Sequence, residues 1–323
     1  MSAEFNQNLS QRYILLHSPS DIQHEQQQTI TPTSSLRISL ARAAAAAFMA
    51  AGLVLAPVAL RAETGTAAPA GTSAAPAASP EAKGETYVPE SGQPGKDVVW
   101  VPTPQALVDR MLDMAKVTPD DYLVDLGSGD GRTVITAAKR GLRAHGIEYN
   151  PDLVALSQRN AAEAGVAERA TFEQADLFES DFSSAQVVTL FLLPSLNERL
   201  RPILLDMAPG TRVVSNSFDM GDWPPDETAQ VAGCEQWCRA LMWIVPAKVE
   251  GSWKIGDQDL ALTQQYQRIS GTLGGTPIAD GRLNGREITF TANGVTYTGT
   301  VDGDSMSGTT AGGQTSDWTA TRS

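Results

Sequence analysis

The sequence predicts an α/β protein with a Rossmann-like seven-stranded sheet, followed by a small C-terminal all-β domain. Three observations predict it. Short apolar segments alternate with amphipathic helical segments between residues 103 and 216, as in a doubly wound parallel sheet. A glycine-rich turn at residues 127–131 joins an apolar segment to a helical one. From residue 250 onward, short alternating segments separated by glycine turns predict an antiparallel meander, barrel or sandwich.

The first predicted element is a helix. Thr103 and Pro104 are typical of an N-cap and a first-turn proline, and apolar residues at helical spacing extend the helix to about residue 116. Strands are then predicted over residues 122–126, 143–148, 170–174, 187–193 and 211–216. The fourth of these is fully apolar, which is typical of the centre of a parallel sheet.

Helices are predicted between these strands. One spans residues 132–140 and ends before a glycine, and another begins at Asn150, with a proline at its first position. Ser195 and Glu198 have the spacing of a capping box for a helix that ends near residue 207.

A closing hairpin is predicted between residues 228 and 245, with Cys234 and Cys238 on either side of its turn. These two cysteines would form a disulfide in an exported protein. Two buried thiols are an equally good interpretation.

The strongest functional signal is the strand that ends at Asp125 and continues into Gly127, Gly129 and Gly131. Such a turn lets a ligand approach the backbone closely, and its N–H groups are expected to face that ligand. A dinucleotide-binding turn has its third glycine three residues after the second, where this chain has Arg132. The spacing therefore favours S-adenosyl-L-methionine over a pyrophosphate.

Two further carboxylates follow predicted strands. Glu148 ends the second strand, 23 residues after Asp125, where it can accept hydrogen bonds from both ribose hydroxyls of a nucleoside. Asp176 follows the third strand, where it can accept from an adenine amino group. Each alone is typical of a solvated loop charge, but the ordered set of three acidic residues favours a nucleoside-binding site.

Residues 100–223 resemble the seven-strand S-adenosyl-L-methionine-dependent methyltransferases that include the mitochondrial protein-lysine methyltransferases of the ATP synthase c-subunit and of the adenine nucleotide translocase, with relatives in bacteria. The segments that carry the resemblance are residues 101–104, 124–132, 146–148, 176–178, 192–196 and 212–216. It covers under half of the chain.

The resemblance implies roles for individual residues. Those expected to bind the cofactor are Asp125, Gly127, Ser128, Gly129 and Gly131 around the methionine part, Glu148 and Tyr149 at the ribose, and Asp176 and Leu177 at the adenine. Thr103, Pro194 and Ser195 are expected near the transferred methyl group, although each is also explained as a helix-start residue.

The resemblance further implies an acceptor nitrogen, with a protein lysine favoured. Alternatives are a small-molecule acceptor, or an exported envelope protein that keeps the fold only for binding. Residues 192–195 lack the Asn/Asp-Pro-Pro-aromatic motif of enzymes that methylate adenine or glutamine, and the net charge of -13 argues against a nucleic-acid partner. Three histidines and two cysteines show no metal-ligand spacing, so no metal site is expected.

The N-terminal region differs in composition. Residues 1–35 are polar and predicted to be disordered, residues 36–62 are predicted to be a signal peptide or a membrane anchor, and residues 63–98 are predicted to be a flexible linker. Arg37 and Arg42 precede an uncharged apolar stretch at residues 43–60, which could associate with a membrane. This arrangement predicts a location in the cell envelope, with a cytoplasmic enzyme as the alternative. The methyltransferase domain is then expected over residues 99–249 and the β domain over residues 250–323.

Overall fold

The structure is a computed structural model that describes residues 87–323. The predicted disordered segment, the predicted signal peptide or anchor, and most of the predicted linker lie outside the described residues. Within residues 87–323, no helix has the length and apolar character needed to cross a membrane.

Seven strands form a mixed sheet, and four helices belong to the same part of the chain. The strands are β1 (Tyr122–Leu126), β2 (Arg143–Glu148), β3 (Ala170–Gln174), β4 (Val187–Leu190), β5 (Arg212–Asn216), β6 (Glu227–Gln230) and β7 (Arg239–Ile244). The helices are α1 (Gln105–Met114), α2 (Arg132–Lys139), α3 (Pro151–Glu163) and α4 (Pro194–Leu205). The strand order is β3-β2-β1-β4-β5-β7-β6, with β1 to β5 parallel and β7 antiparallel to both of its neighbours. The predicted Rossmann-like sheet with its closing hairpin is confirmed.

Both faces of this sheet are covered, which explains why the central strands are apolar throughout. Val187 and Val188 of β4 are fully buried and face opposite clusters, and Val213 and Val214 of β5 do the same. Because side chains alternate along a strand, a sheet with helices on both faces needs apolar residues at successive positions.

Two predicted helix starts differ from the observed ones. The N-cap of α1 is Pro104 rather than Thr103, and no side chain caps it. The N-cap of α4 is Leu193, also without a side-chain hydrogen bond, so the predicted Ser195–Glu198 capping box is wrong. Asn150 does cap α3, because its side chain accepts a hydrogen bond from the Asp152 N–H at 2.9 Å. Strand β4 ends at Leu190, three residues early, because residues 191–193 leave the sheet to reach α4.

The C-terminal region is an antiparallel barrel. Its strands are β8 (Gly251–Ile255), β9 (Gln258–Gln265), β10 (Arg268–Leu273), β11 (Thr276–Pro277), β12 (Ala279–Asn284), β13 (Glu287–Ala292), β14 (Val295–Asp302), β15 (Ser305–Ala311) and β16 (Asp317–Arg322). The ring closes because β9 pairs with both β8 and β10, while β11 pairs with β10 alone. Phe290, Tyr297 and Trp318 pack together, with ring centroids 4.8–6.1 Å apart.

Gln267, in the turn between β9 and β10, joins the barrel to the segment that follows β5. It is 2% exposed, its Oε1 accepts from the Trp223 indole N–H at 3.0 Å, and its Nε2 donates to the Pro224 carbonyl at 2.7 Å. An ion pair between Arg282 and Asp226, 2.6 Å long, lies beside this contact. The two regions therefore share buried polar groups whose hydrogen bonds cross between them.

Gln267→Leu should lower the free energy of unfolding by about 1–3 kcal/mol, because it leaves the buried Trp223 N–H and Pro224 carbonyl without partners. Urea denaturation measures this directly. The matched control is Gln265→Leu, since Gln265 is exposed at the end of β9 and should change stability little. Equal effects of the two substitutions would contradict this account of the contact.

Candidate active site

One pocket lies at the carboxyl ends of the parallel strands, the edge at which α/β proteins bind ligands. Nine of the twelve predicted site residues line it: Thr103, Asp125, Gly127, Ser128, Gly129, Glu148, Tyr149, Asp176 and Leu177. The pocket wall does not include Gly131, Pro194 or Ser195. Nine residues that are distributed between positions 103 and 177 of the chain therefore line a single cleft.

Glu148 holds the glycine-rich turn to the end of β2. Its Oε2 accepts from the Gly129 N–H and its Oε1 from the Asn150 N–H, both at 2.9 Å. The N–H groups of Gly127 and Ser128 donate to the Ile147 carbonyl at 2.9 and 3.1 Å. For residues 127–129, the expectation that the N–H groups face a ligand is wrong, because the turn uses these three groups to attach itself to β2. No N–H at residues 127–129 is left for a pyrophosphate, which agrees with a cofactor that lacks one.

The turn is glycine-rich because the side chains packed against it leave no room for a Cβ atom. Gly129 has φ +57°, and a Cβ there would lie 2.5 Å from the Trp100 Nε1. Gly131 has φ +80°, and its Cβ would lie 2.7 Å from the Phe172 ring. Gly131 therefore permits the turn to pack against β3 and is not part of the pocket wall. Gly146 of β2 is a glycine for the same reason, because a Cβ there would lie 2.5 Å from the buried Ser128 hydroxyl.

Asp125 is a buried carboxylate at the centre of the pocket. Burial raises its pKa to about 7, and the charges of Glu148 and Asp130 act in the same direction. A hydrogen bond from the Thr189 hydroxyl at 2.6 Å opposes this shift by favouring the ionised form. Sequence reasoning missed Thr189, although it is the one polar residue in the apolar strand β4 and lies opposite Asp125 in the register.

Thr103 is held in the pocket wall from two sides. Its hydroxyl accepts from the Asn216 side-chain amide at 3.2 Å, and its carbonyl accepts from the Arg132 guanidinium at 2.9 Å. The other two residues expected near the reacting methyl group are placed differently. Ser195 is exposed on α4, and the pocket is lined by the leucines on either side of the Pro194–Ser195 pair, Leu193 and Leu196.

Residues 92–100, most of which the sequence assigns to the flexible linker, form a hydrogen-bonded turn over the pocket. The Gly92 and Trp100 backbones are linked at 2.7 Å, and those of Trp100 and Gln93 at 2.9 Å. Lys96 from this turn pairs with Asp176 and lies 4.6 Å from the Tyr149 ring centre. The hydrogen bond from Lys96 holds the pKa of Asp176 below its usual value. In the sequence, Trp100, three residues before the predicted helix start at Thr103, is the one feature that could have indicated that residues 92–100 contact the pocket.

The other end of the pocket is aromatic. Phe191 follows β4, Phe218 follows β5, and Trp237 lies in the turn between β6 and β7. Their ring centres are 5.3–6.0 Å apart. The pocket therefore has carboxylates at the ends of β1, β2 and β3 and a wall of three rings beyond β4 and β5.

Comparison with known proteins identifies relatives of this region. Residues 125–227 match the family described as the ANTKMT methyltransferase domain. The chain is 44% identical over 149 residues to a protein-lysine N-methyltransferase of Saccharolobus islandicus, covering 45% of this chain and 88% of that protein. It is 43% identical over 130 residues to the Mus musculus lysine N-methyltransferase named for the ATP synthase c-subunit, covering 40% of this chain and about half (52%) of that protein.

A solved structure is also similar: an RNA methyltransferase from Salinibacter ruber in complex with S-adenosyl-L-homocysteine. The identity is 53%, over 46% of this chain and 96% of that one, with a TM-score of 0.44.

Asp125→Asn should make stability less dependent on pH. The pKa of Asp125 is raised in the folded protein, so the wild type loses unfolding free energy as pH rises from about 4 to about 7, the range in which this carboxylate is ionised in the unfolded chain but protonated in the folded one. Asparagine keeps an oxygen acceptor for Thr189 without the charge. Relative to the wild type, the variant should gain about 2–4 kcal/mol between pH 4 and 8.

Urea denaturation across this pH range tests the prediction. The exposed Asp120, substituted as Asp120→Asn, is the control and should follow the wild-type profile. A parallel pH profile for Asp125→Asn would show that Asp125 is ionised throughout the range.

Proposed function

We propose that the protein, which belongs to the ANTKMT family of S-adenosyl-L-methionine-dependent methyltransferases, transfers methyl groups to lysine side chains of a protein acceptor. The enzyme class and the cofactor follow from the family and from the sequence relatives. The observation that carries the lysine assignment is the two-ended pocket, with carboxylates at one end and aromatic rings at the other.

The carboxylate end suits the cofactor. Bound S-adenosyl-L-methionine supplies an electrophilic methyl group on a sulfonium. Glu148, fixed by two backbone N–H groups, would accept from the ribose hydroxyls, and Asp176 from the adenine amino group. Asp125, ionised above about pH 7, would favour the positive charge of the methionine part. Methyl transfer is an in-line displacement, so these residues contribute mainly by placing the two reactants.

The aromatic end suits a lysine. A lysine amine must lose its proton before it can act as a nucleophile, and apolar surroundings favour the neutral form by lowering the pKa of the ammonium group. Phe191, Phe218 and Leu192 provide such surroundings in the pocket wall. Two relatives are named as lysine methyltransferases, and the net charge of -13 would attract a basic acceptor protein.

The test is transfer of a labelled methyl group from S-adenosyl-L-methionine by the full chain, offered three acceptors separately: poly-L-lysine, free lysine and total RNA. We expect methylation of poly-L-lysine, with mono-, di- or trimethyl-lysine identified by mass spectrometry. Label only in RNA or only in free lysine would replace the proposal with a nucleic-acid or a small-molecule acceptor.

Glu148→Ala should reduce transfer at least about 100-fold and abolish calorimetric binding of S-adenosyl-L-homocysteine, because the ribose acceptor is lost and the Gly129 and Asn150 N–H groups lose their partner. The exposed Glu168, substituted as Glu168→Ala, is the matched control. Wild-type activity in Glu148→Ala would contradict the assignment of this pocket to the cofactor.

We further propose that the protein is exported to, or anchored in, a bacterial cell envelope. Support comes from Arg37 and Arg42 ahead of the uncharged residues 43–60, and from the disulfide between Cys234 and Cys238, a bond that persists in oxidising compartments.

The location is tested with a compartment-dependent reporter fused after Ser323 and by sequencing of the mature N-terminus. We expect activity of a reporter that works only outside the cytoplasm, and cleavage near Ala62 if the signal is removed. Reporter activity confined to the cytoplasm would refute export.

A further inference from the structure

The aromatic end of the pocket is built from three separate chain segments. Trp237 packs against Phe218 and Phe191 with ring centres 5.3 and 5.7 Å away, at interplanar angles of 48° and 59°. All three side chains are partly exposed at the pocket wall. Partly exposed rings in a pocket wall offer π-faces to a ligand, which fully buried rings cannot do.

Phe218 is distant from Glu148, which is assigned to the ribose of the cofactor. Glu148 ends β2, and three strand spacings separate β2 from β5, the strand that leads to Phe218. At about 4.8 Å a spacing, this is roughly 14 Å. Phe191 follows β4, which pairs with β1, so the aromatic wall begins beside the strand that carries Asp125 and extends away from Glu148.

Phe218 is held rigidly. Its carbonyl accepts from the Ser215 hydroxyl at 2.7 Å and from the Asn197 amide at 3.2 Å, and both of these side chains belong to fully buried residues. Its backbone position is thus fixed by groups inside the protein.

Trp237 is held differently. It lies inside a five-residue loop closed by the Cys234–Cys238 disulfide and has a positive φ of 56°, which is unfavourable for a residue with a bulky side chain. At the base of the loop, the Arg239 guanidinium donates to the Ser217 carbonyl at 2.8 Å, and the Arg239 carbonyl accepts from the Ser217 N–H at 2.7 Å. The covalent bond opposes relaxation of the loop to a backbone conformation that would move the indole.

We propose that Trp237 determines acceptor specificity by binding the side chain of the acceptor lysine together with Phe191 and Phe218, and that the Cys234–Cys238 disulfide is a positioning element that makes this binding depend on the oxidised state of the loop. The inference rests on the proposed lysine methyltransferase function. The methylene stem of the lysine packs on the faces of the three rings, which positions the neutral amine in the apolar surroundings that favour it.

Reduction would reverse this positioning. Dithiothreitol gives two electrons and two protons to the disulfide, which becomes two thiols, while the reagent closes to its own cyclic disulfide. The loop then loses its cross-link, and Trp237 can leave the wall. The cofactor end contains no cysteine, so its affinity should not change.

The experiment compares steady-state methylation of poly-L-lysine by the full chain with calorimetric binding of S-adenosyl-L-homocysteine. For Trp237→Ala, KM for poly-L-lysine should rise about tenfold, while the Kd of S-adenosyl-L-homocysteine stays within twofold. Trp237→Phe, which keeps a ring, should restore most of the loss. Gln230→Ala, an exposed change on β6 of the same hairpin, is the control.

Redox dependence is read from the wild type with and without dithiothreitol, and from Cys234→Ser combined with Cys238→Ser. Dithiothreitol should raise KM for poly-L-lysine several-fold in the wild type. In the double variant, KM should already be raised without the reagent, and dithiothreitol should not change it further. A reagent effect that persists in the double variant would show that the loop disulfide is not the element involved.

Unchanged KM in Trp237→Ala, with active wild type, would overturn the inference and leave the proposed function intact. A fall in kcat together with weaker S-adenosyl-L-homocysteine binding would also overturn it, by assigning Trp237 to general folding of the site. Absence of poly-L-lysine methylation by the wild type itself, with S-adenosyl-L-homocysteine still bound, would instead refute the proposed function.

Discussion

The site depends on the two hydrogen bonds that the Glu148 carboxylate accepts. Through Gly129 and Asn150, one side chain at the end of β2 fixes the turn into α2 and the start of α3. A carboxylate that accepts from backbone N–H groups is held in one orientation, so it is pre-positioned for further donors. The glycines at 129 and 131 are a consequence of this constraint, because the attached turn lies against Trp100 on one side and Phe172 on the other. Ordering the turn before the cofactor binds reduces the entropy lost on binding.

At Asp125, the stability of the folded protein is balanced against affinity for a positively charged ligand. A buried carboxylate with a pKa near 7 costs stability, and the hydrogen bonds from Thr189 and Thr133 offset only part of that cost. A buried, poorly stabilised anion is, however, a favourable partner for a positively charged ligand, because the charge of the ligand stabilises the ionised carboxylate more than the surrounding protein does. We interpret the raised pKa of Asp125 as stability given up for affinity.

The sequence was sufficient for the strands of the parallel half and for most residues that line the carboxylate end of the pocket, because these features are encoded locally. A strand, a glycine turn and a helix are contiguous in the chain, and Asp125, Glu148 and Asp176 each follow a strand whose apolar pattern is clear. Thr103 and Ser195 show which distinction the sequence could not make. Both fit a capping pattern, and only the tertiary contact to Asn216, 113 residues away, distinguishes a pocket residue from a cap. Lys96 was missed for a related reason, since composition assigned it to a linker and its partner Asp176 is 80 residues distant.

The two ends of the pocket are fixed by different physical means, and this explains why only one of them was predictable. At the cofactor end, positive φ values occur at glycines 127, 129 and 131, where they carry little steric cost and leave a recognisable motif. At the aromatic end, positive φ values occur at Ser217 and Trp237, residues that do not adopt them readily. Contacts to Arg239 hold Ser217, and the Cys234–Cys238 disulfide closes the loop that carries Trp237. The cysteine pair is visible in the sequence, but the packing of Trp237 on Phe191 and Phe218 is not. A conformation held by a disulfide responds to reduction of that bond, so the aromatic end is the part of the site on which conditions outside the pocket can act.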